Sequence, residues 1–294
     1  INNLKNKNIA YGHFLLANYY RKKKEINLEI KELYKGHEIF FNSDSKNKDF
    51  VNYWLEIVPK MMNKKFLFND NKKNKILSSD IEPIFIFGIP RSGTTLVETI
   101  ITSGKEKIYN AGENFILQKT LQNSQLNKKI YESEKSITLD ISFLRKNIIK
   151  SYMKQLSIRS KKFKFIDRTM TNFFFSEILL EIFPNAKIIN CKRDSFHNLV
   201  AIYQQCLNNL PWSHKIKDIR KYISIYNYKM SDLEKNYSKN ILNVELKKLT
   251  EFPEDISKEI MSFCKLNWSE KVLKYYKRKD LICTTASNIQ IREK

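Results

Sequence analysis

Short apolar runs alternate with longer amphipathic stretches over most of the chain. Residues 83–88 are almost wholly apolar and predict a buried strand, and residues 94–102 have the apolar spacing of a helix. The alternation continues with predicted strands and helices over residues 164–167, 172–182, 186–191, 196–206 and 241–244. Strands that alternate with helices predict an α/β fold, with a parallel sheet flanked by helices.

The first 80 residues have a different pattern. Apolar positions at helical spacing predict helices over residues 9–20, 28–41 and 50–62, and the polar stretch 63–80 predicts a linker. We therefore expect a helical extension over 1–80 and an α/β domain over 81–294. The first two helices span about 34 residues, as one tetratricopeptide unit does, although a single copy does not establish a repeat.

Composition limits the function classes without choosing among them. The chain has 294 residues and 42% hydrophobic content, which fits a globular protein. Its formal charge of +22 is compatible with nucleic acid, anionic lipid or an anionic small-molecule ligand. The excess lysine is scattered and lacks an aromatic-interleaved basic motif, so we expect no nucleic-acid partner. No apolar run approaches the roughly 18 residues of a membrane span and no signal peptide opens the chain, so a cytoplasmic location is the expectation.

Four cysteines lie far apart in the sequence, at Cys191, Cys206, Cys264 and Cys283. They form neither a CxxC pair nor a Cys/His spacing typical of zinc sites. We therefore expect reduced thiols and no bound metal.

The residues between the first predicted strand and its helix have the chemistry of an anion-binding loop. They read GIPRSGTT, with two glycines and a final threonine at Walker A spacing, but Thr94 replaces the Walker lysine, which argues against nucleotide hydrolysis. Backbone N–H groups at a helix N-terminus, a guanidinium and several hydroxyls would still hold an anion. The predicted contacts are Arg91, Ser92, Gly93, Thr94 and Thr95. A plain strand-to-helix turn with N-capping threonines is the alternative.

The segment PIFIFGIPRSGTTLVETI resembles the 5′-phosphosulfate loop of sulfotransferases that use 3′-phosphoadenosine 5′-phosphosulfate (PAPS). It is most similar to the branch of protein-tyrosine sulfotransferases and of bacterial proteins with tetratricopeptide repeats ahead of such a domain, and the resemblance covers residues 81–292. It implies a P-loop-like sheet and metal-free transfer of a sulfuryl group from PAPS to an acceptor hydroxyl. The implied acceptor is tyrosine in a protein or peptide, while carbohydrate and small-molecule hydroxyls stay open.

The resemblance also implies roles for residues that follow the predicted strands. Glu113, in YNAGE, matches the family's general base, which would take the proton of a phenol with a pKa of about 10. A surface glutamate in a loop is the alternative. Arg168 replaces the lysine that usually contacts the transferred group, which implies that Arg168 stabilises the transition state electrostatically; a structural, salt-bridged arginine is the alternative. Arg193, in KRDS, matches the arginine that binds the donor's 3′-phosphate.

The last residues and two internal positions complete the comparison with the family. TTASNIQIR resembles a donor-wrapping segment, which implies that Ser287 stabilises developing charge and that Gln290 and Arg292 contact the donor. Ala201 and Leu246 depart from the pattern, since the family has a phosphate-binding serine and a donor-contacting tyrosine there. These departures favour the alternative of a catalytically impaired nucleotide-binding or scaffold protein. A P-loop kinase is a third alternative, against which Thr94 argues, and a homodimer is compatible with the residues.

Overall fold

The computed structural model describes residues 2–63, 65–69, 80–123, 136–160 and 162–277. The α-helices are α1 Asn2–Lys22, α2 Ile26–Asn42, α3 Lys46–Asn52, α4 Val58–Met62, α5 Thr94–Thr102, α6 Ile116–Asn123, α7 Ile141–Gln155, α8 Ser176–Ile182, α9 Ser195–Tyr203, α10 Ile216–Tyr237, α11 Leu246–Glu251 and α12 Pro253–Phe263. The strands are β1 Lys65–Asn69, β2 Ile81–Gly88, β3 Tyr109–Asn110, β4 Ser136–Asp140, β5 Phe163–Asp167, β6 Lys187–Lys192 and β7 Ile241–Glu245. Segments of π or 3₁₀ helix cover Tyr53–Ile57, Met170–Phe175, Pro211–His214, Ser238–Asn240 and Glu270–Lys277.

The main sheet has five parallel strands in the order β3-β5-β2-β6-β7. Its central strand β2 is buried along almost its whole length, as expected for a strand whose two faces are covered. On one face, β2 residues Ile84 and Ile86 share an apolar core with Val97 and Ile100 of α5 and Ile260 of α12. The predicted α/β fold with a parallel, helix-flanked sheet is confirmed.

A second, two-stranded sheet lies where the sequence predicted only linker. Strand β1 pairs in parallel with β4, with Lys65 opposite Ser136. Phe66 is buried between exposed neighbours, which is the period-two pattern of a strand with one covered face. Lysine and asparagine surround these five residues and obscure the pattern in the sequence. The prediction of a polar linker over 63–80 was therefore wrong at residues 65–69.

By its internal contacts the chain divides into two compact units, residues 1–60 with 194–228 and residues 61–193 with 229–294. The helices predicted in the first 62 residues are present, although a π-helical turn at Tyr53–Ile57 interrupts the third. Residues 194–228 group with these helices rather than with the sheet, and the predicted domain division at residue 80 stays a prediction. Within the described residues, no helix combines the length and the apolar character that crossing a membrane requires.

The first unit contains a buried pair of histidines. His37 Nδ1 lies 2.9 Å from His214 Nδ1, and His37 Nε2 lies 2.7 Å from the carbonyl oxygen of Tyr203. Burial lowers the pKa of His37 to about 4, and burial together with the neighbouring His37 lowers the pKa of His214 to about 3. Both rings are therefore neutral at physiological pH and join α2 to the turn before α10.

Candidate active site

The loop between β2 and α5 is a tight turn that places two residues in the left-handed region. Gly93, the N-cap of α5, has φ of +99°, and Arg91 has φ of +72°. Glycine adopts such a conformation without steric cost, whereas arginine does so rarely. The loop is closed by a hydrogen bond of 3.1 Å from the Ser92 amide to the Ile89 carbonyl oxygen. Gly88 is also required for space, because a Cβ there would lie 2.4 Å from Ser92 Oγ.

The side chain of Ser92 is a polar group of this loop without a hydrogen-bond partner among the described residues. This side chain is buried. A buried hydroxyl without a partner costs about 1–3 kcal/mol, so such groups are normally paired. The hydroxyl lies at the N-terminal end of α5, where the helix dipole favours negative charge. The loop residues therefore fit a phosphate or sulfate group.

Two arginines meet beside this loop. Arg193 directly follows β6, the strand next to β2, and its Nη1 donates a hydrogen bond of 3.0 Å to the carbonyl oxygen of Arg91. Burial and the like charge of Arg193 lower the pKa of Arg91. Two guanidinium groups repel one another unless an anion lies near both, and arginine is the preferred side chain for phosphate. The pair therefore supports an anion site at this edge of the sheet.

A second group of charged residues follows β3 and β5. The amide of Ala111 donates to the carbonyl of Ile166 at 2.9 Å, and the amide of Arg168 donates to the carbonyl of Gly112 at 3.0 Å. These bonds extend the β3–β5 pairing beyond the ends of the strands and bring Glu113 beside Arg168. Because all five strands are parallel, this group and the loop after β2 lie at the same edge of the sheet.

Arg168 is held between two carboxylates. Its Nη1 donates to Glu113 Oε1, and its Nε lies 2.6 Å from Glu98 Oε2 on α5. The side chains of Arg168 and Glu98 are largely buried, whereas that of Glu113 is 57% exposed. Burial raises the pKa of Glu98, and the Arg168 charge opposes that rise. The salt-bridged arginine that the sequence left open as an alternative is thus present, while the predicted electrostatic role of Arg168 stays a prediction.

A buried carboxylate holds the two loops that present Glu113 and Arg168. Asp167 accepts hydrogen bonds from the Tyr152 hydroxyl, from Asn114 Nδ2 at 2.8 Å and from the Thr169 amide at 2.7 Å. Burial and this carboxylate raise the pKa of Tyr152 well above its ordinary value. Asn114 follows Glu113 and Thr169 follows Arg168, so the network fixes both loops against the end of β5.

Leu246 lies against the loop between β2 and α5. It is the first residue of α11, directly after β7, and its Cδ1 would lie 2.8 Å from a Cβ placed on Gly93. The position that the sequence comparison identified as a departure therefore contacts the loop itself. Ala201 lies in α9, within the unit of the N-terminal helices.

The structure brings together two groups of the predicted residues. Arg91, Ser92 and Arg193 meet at the loop, and Glu113 pairs with Arg168; Gly93, Thr94 and Thr95 form the N-cap and first turn of α5. Ser287, Gln290 and Arg292 lie outside the described residues. Sequence reasoning missed Glu98 and the Asp167 network. A carboxylate inside an otherwise apolar helix, LVETII, was the signal for Glu98.

The model of the Sulfotransferase family matches residues 83–270. An uncharacterised protein of Aquifex aeolicus is 31% identical over 223 residues, which cover 72% of this chain and 29% of that protein. A protein-tyrosine sulfotransferase of Drosophila melanogaster is 24% identical over 230 residues, which cover 71% of this chain and 43% of that protein. The chain thus spans less than half the length of either relative. Among solved structures, the sulfotransferase domain of the Synechococcus PCC 7002 olefin synthase has the same fold, with a TM-score of 0.51 and 17% identity over 72% of this chain and 83% of that one. This chain belongs to the sulfotransferase family.

Proposed function

We propose that this protein transfers a sulfuryl group from PAPS to an acceptor hydroxyl, and that the acceptor is a tyrosine of a protein or peptide. Family membership supports sulfuryl transfer, and the similarity to a protein-tyrosine sulfotransferase supports the acceptor. The observation that carries the proposal is the buried Ser92 hydroxyl, which has no partner among the described residues and lies in the loop beside the Arg91–Arg193 pair.

The donor site would be formed by the loop and by β6. Arg91 and Arg193 would neutralise the anionic groups of the donor, since guanidinium–phosphate hydrogen bonds are strong and directional. Ser92 Oγ and the first amides of α5 would donate to the remaining oxygens. Bound there, PAPS supplies an activated sulfuryl group.

The acceptor site would be formed by Glu113 and Arg168. The Glu113 carboxylate is exposed enough to reach an acceptor hydroxyl and would take its proton as the new S–O bond forms. Arg168, in contact with that carboxylate, would offset negative charge that develops nearby. A positioned base of this kind contributes roughly 10²- to 10⁴-fold in rate.

A second candidate function is nucleotide binding without turnover. Arg168 is already engaged by two carboxylates, and Leu246 contacts the loop where the family has a tyrosine. Both observations favour a protein that retains the donor site but has lost catalysis.

Transfer from labelled PAPS to tyrosine peptides, measured for the wild type and for Glu113→Ala, tests the proposal. We expect the variant to lose roughly 10²- to 10⁴-fold in rate, because the acceptor then has no base. Its affinity for 3′-phosphoadenosine 5′-phosphate, measured by calorimetry, should stay within about twofold, because Glu113 lies outside the donor loop.

Glu254→Ala is the matched control, since Glu254 on α12 has an exposed ion pair with Lys258. It should leave the rate unchanged. Wild-type binding of the nucleotide without transfer would favour the second candidate. Equal rates for the wild type and Glu113→Ala would remove Glu113 from its role, and failure to bind the nucleotide would contradict both candidates.

A further inference from the structure

Glu98 is a largely buried carboxylate beside Arg168. It lies in the second turn of α5, the helix that begins at the phosphate loop. Its Oε2 is 2.6 Å from Arg168 Nε, and it accepts a hydrogen bond from the Asn110 side chain. Arg168 uses a different nitrogen, Nη1, for Glu113. One guanidinium therefore bridges a buried and an exposed carboxylate.

The charges of these three groups bear on proton transfer. A guanidinium next to a carboxylate favours the ionised form, so Arg168 alone would resist the arrival of a proton on Glu113. Glu98 counters this in two ways, because it neutralises Arg168 and because it repels the charge of Glu113. The repulsion is mutual, and it contributes to the raised pKa of Glu98. Once Glu113 is protonated, a neutral Glu98–Arg168 pair remains.

We propose that Glu98 is a positioning residue for Glu113: it fixes Arg168 through Nε, and its negative charge lets Glu113 accept a proton despite the contact with the arginine. The proposal deepens the proposed function and rests on Glu113 as the base. It differs from a merely structural ion pair, which would support the fold and leave the titration of Glu113 unchanged. Because α5 carries both Glu98 and the N-terminal end that faces the donor loop, one helix would set the positions of base and donor.

The titration of the Glu113 carboxyl tests this proposal directly. Glu98→Gln keeps the shape of the side chain and removes its charge. In protein labelled with ¹³C at the glutamate carboxyl carbons, the Glu113 signal is identified by its loss in Glu113→Gln. We expect the midpoint of this signal to fall in Glu98→Gln, because Arg168 then acts on Glu113 alone. An unchanged or higher midpoint would overturn the proposal.

The wild type offers a second measurement that needs no Glu98 variant to fold. Because Glu98 and Glu113 interact through Arg168, the Glu113 signal should show a second, smaller inflection at the pH where Glu98 titrates. A single inflection would count against the proposal. Glu98→Asp keeps the charge and should keep the wild-type midpoint, whereas a shift as large as that of Glu98→Gln would show that shape rather than charge matters.

Activity separates this inference from the proposed function. In Glu98→Gln we expect kcat to fall about 10-fold and the acidic limb of the kcat/KM profile to move to lower pH, with unchanged nucleotide affinity. Glu254→Gln, the control, should move neither the limb nor the Glu113 midpoint. If the wild type transfers no sulfuryl group but the midpoint shifts as expected, the proposed function fails and the coupling stands. If transfer occurs and the midpoint does not move, the coupling fails and the function stands.

Discussion

The two halves of the candidate site, the donor side around Arg91 and Arg193 and the acceptor side around Glu113 and Arg168, differ in how their charges are paired. At the donor side, Arg91 and Arg193 lie together with like charges, and the buried Ser92 hydroxyl has no partner among the described residues. At the acceptor side, Arg168 is bridged to two carboxylates and the buried Asp167 accepts three hydrogen bonds. The donor side is thus a cationic surface that an anion would complete. At the proposed acceptor side the charges are paired with one another.

The largest effect should come from removing the buried support of the acceptor side. Asp167→Ala leaves the Tyr152 hydroxyl, the Asn114 amide and the Thr169 N–H without their acceptor. Each unpaired buried donor costs about 1–3 kcal/mol, so we expect a loss of at least about 3 kcal/mol in the free energy of unfolding. Urea unfolding followed by circular dichroism measures it.

Tyr152→Phe is the matched control, because it removes one of the three donors and leaves the carboxylate in place. It should cost about 1 kcal/mol. Below its unfolding transition, Asp167→Ala should still bind 3′-phosphoadenosine 5′-phosphate within a few-fold of the wild type, since the donor loop is untouched. A loss of stability no larger than that of Tyr152→Phe would show that the network is not cooperative.

The elements that make the two halves differ in how well the sequence revealed them. Strand β2 and helix α5 were predicted within two residues, because an unbroken apolar run, a glycine-rich turn and helical spacing follow each other without interruption. The arginines at the ends of β5 and β6 could be placed because carboxyl ends of parallel strands meet at one edge. The side chains that pair with these residues could not be predicted from the sequence. Glu98 contacts Arg168 across 70 positions in the chain, and Tyr152 belongs to α7, a helix for which no prediction was made.

Strand β1 is a second example of a feature that the sequence alone did not reveal. Five residues with one buried phenylalanine give too short a pattern to stand out from a lysine- and asparagine-rich stretch, and the pairing with β4 is distant in sequence. Local hydrophobic patterns predict which segments are buried. These patterns do not predict which polar atoms of two segments distant in sequence come within hydrogen-bond distance.

The next largest effect concerns nucleotide binding at the donor side. Arg193→Ala should weaken binding of 3′-phosphoadenosine 5′-phosphate by about 10- to 100-fold, because a charge-assisted hydrogen bond contributes about 1.5–3 kcal/mol. The same change should alter stability little, since it removes both an exposed hydrogen bond to the Arg91 carbonyl and a charge that repels Arg91. Calorimetry and thermal unfolding measure the two quantities.

The residue before Arg193 provides the control. Lys192 is 3.1 Å from Glu234 and is half-exposed, so Lys192→Ala should change nucleotide affinity by less than about threefold. If Arg193→Ala were destabilised and bound the nucleotide normally, the arginine would be a structural group and the contrast between the two halves would disappear.

The smallest effect concerns Leu246, the aliphatic residue against Gly93. Leu246→Tyr adds a ring that can keep this packing and a hydroxyl that can donate to an anion on the loop, so nucleotide affinity should rise about two- to fivefold, in line with a neutral hydrogen bond of about 0.5–1 kcal/mol. Leu246→Phe has the ring without the hydroxyl and should give no gain. Calorimetry on both variants separates the two contributions. If both variants bind more weakly than the wild type, the ring does not fit beside Gly93, and the leucine is part of the packing that gives the loop its present shape. If only Leu246→Tyr binds the nucleotide more tightly, a hydroxyl at this position can contact the bound anion. The wild-type chain then lacks one hydrogen bond to the donor, and its affinity depends more heavily on Arg91 and Arg193.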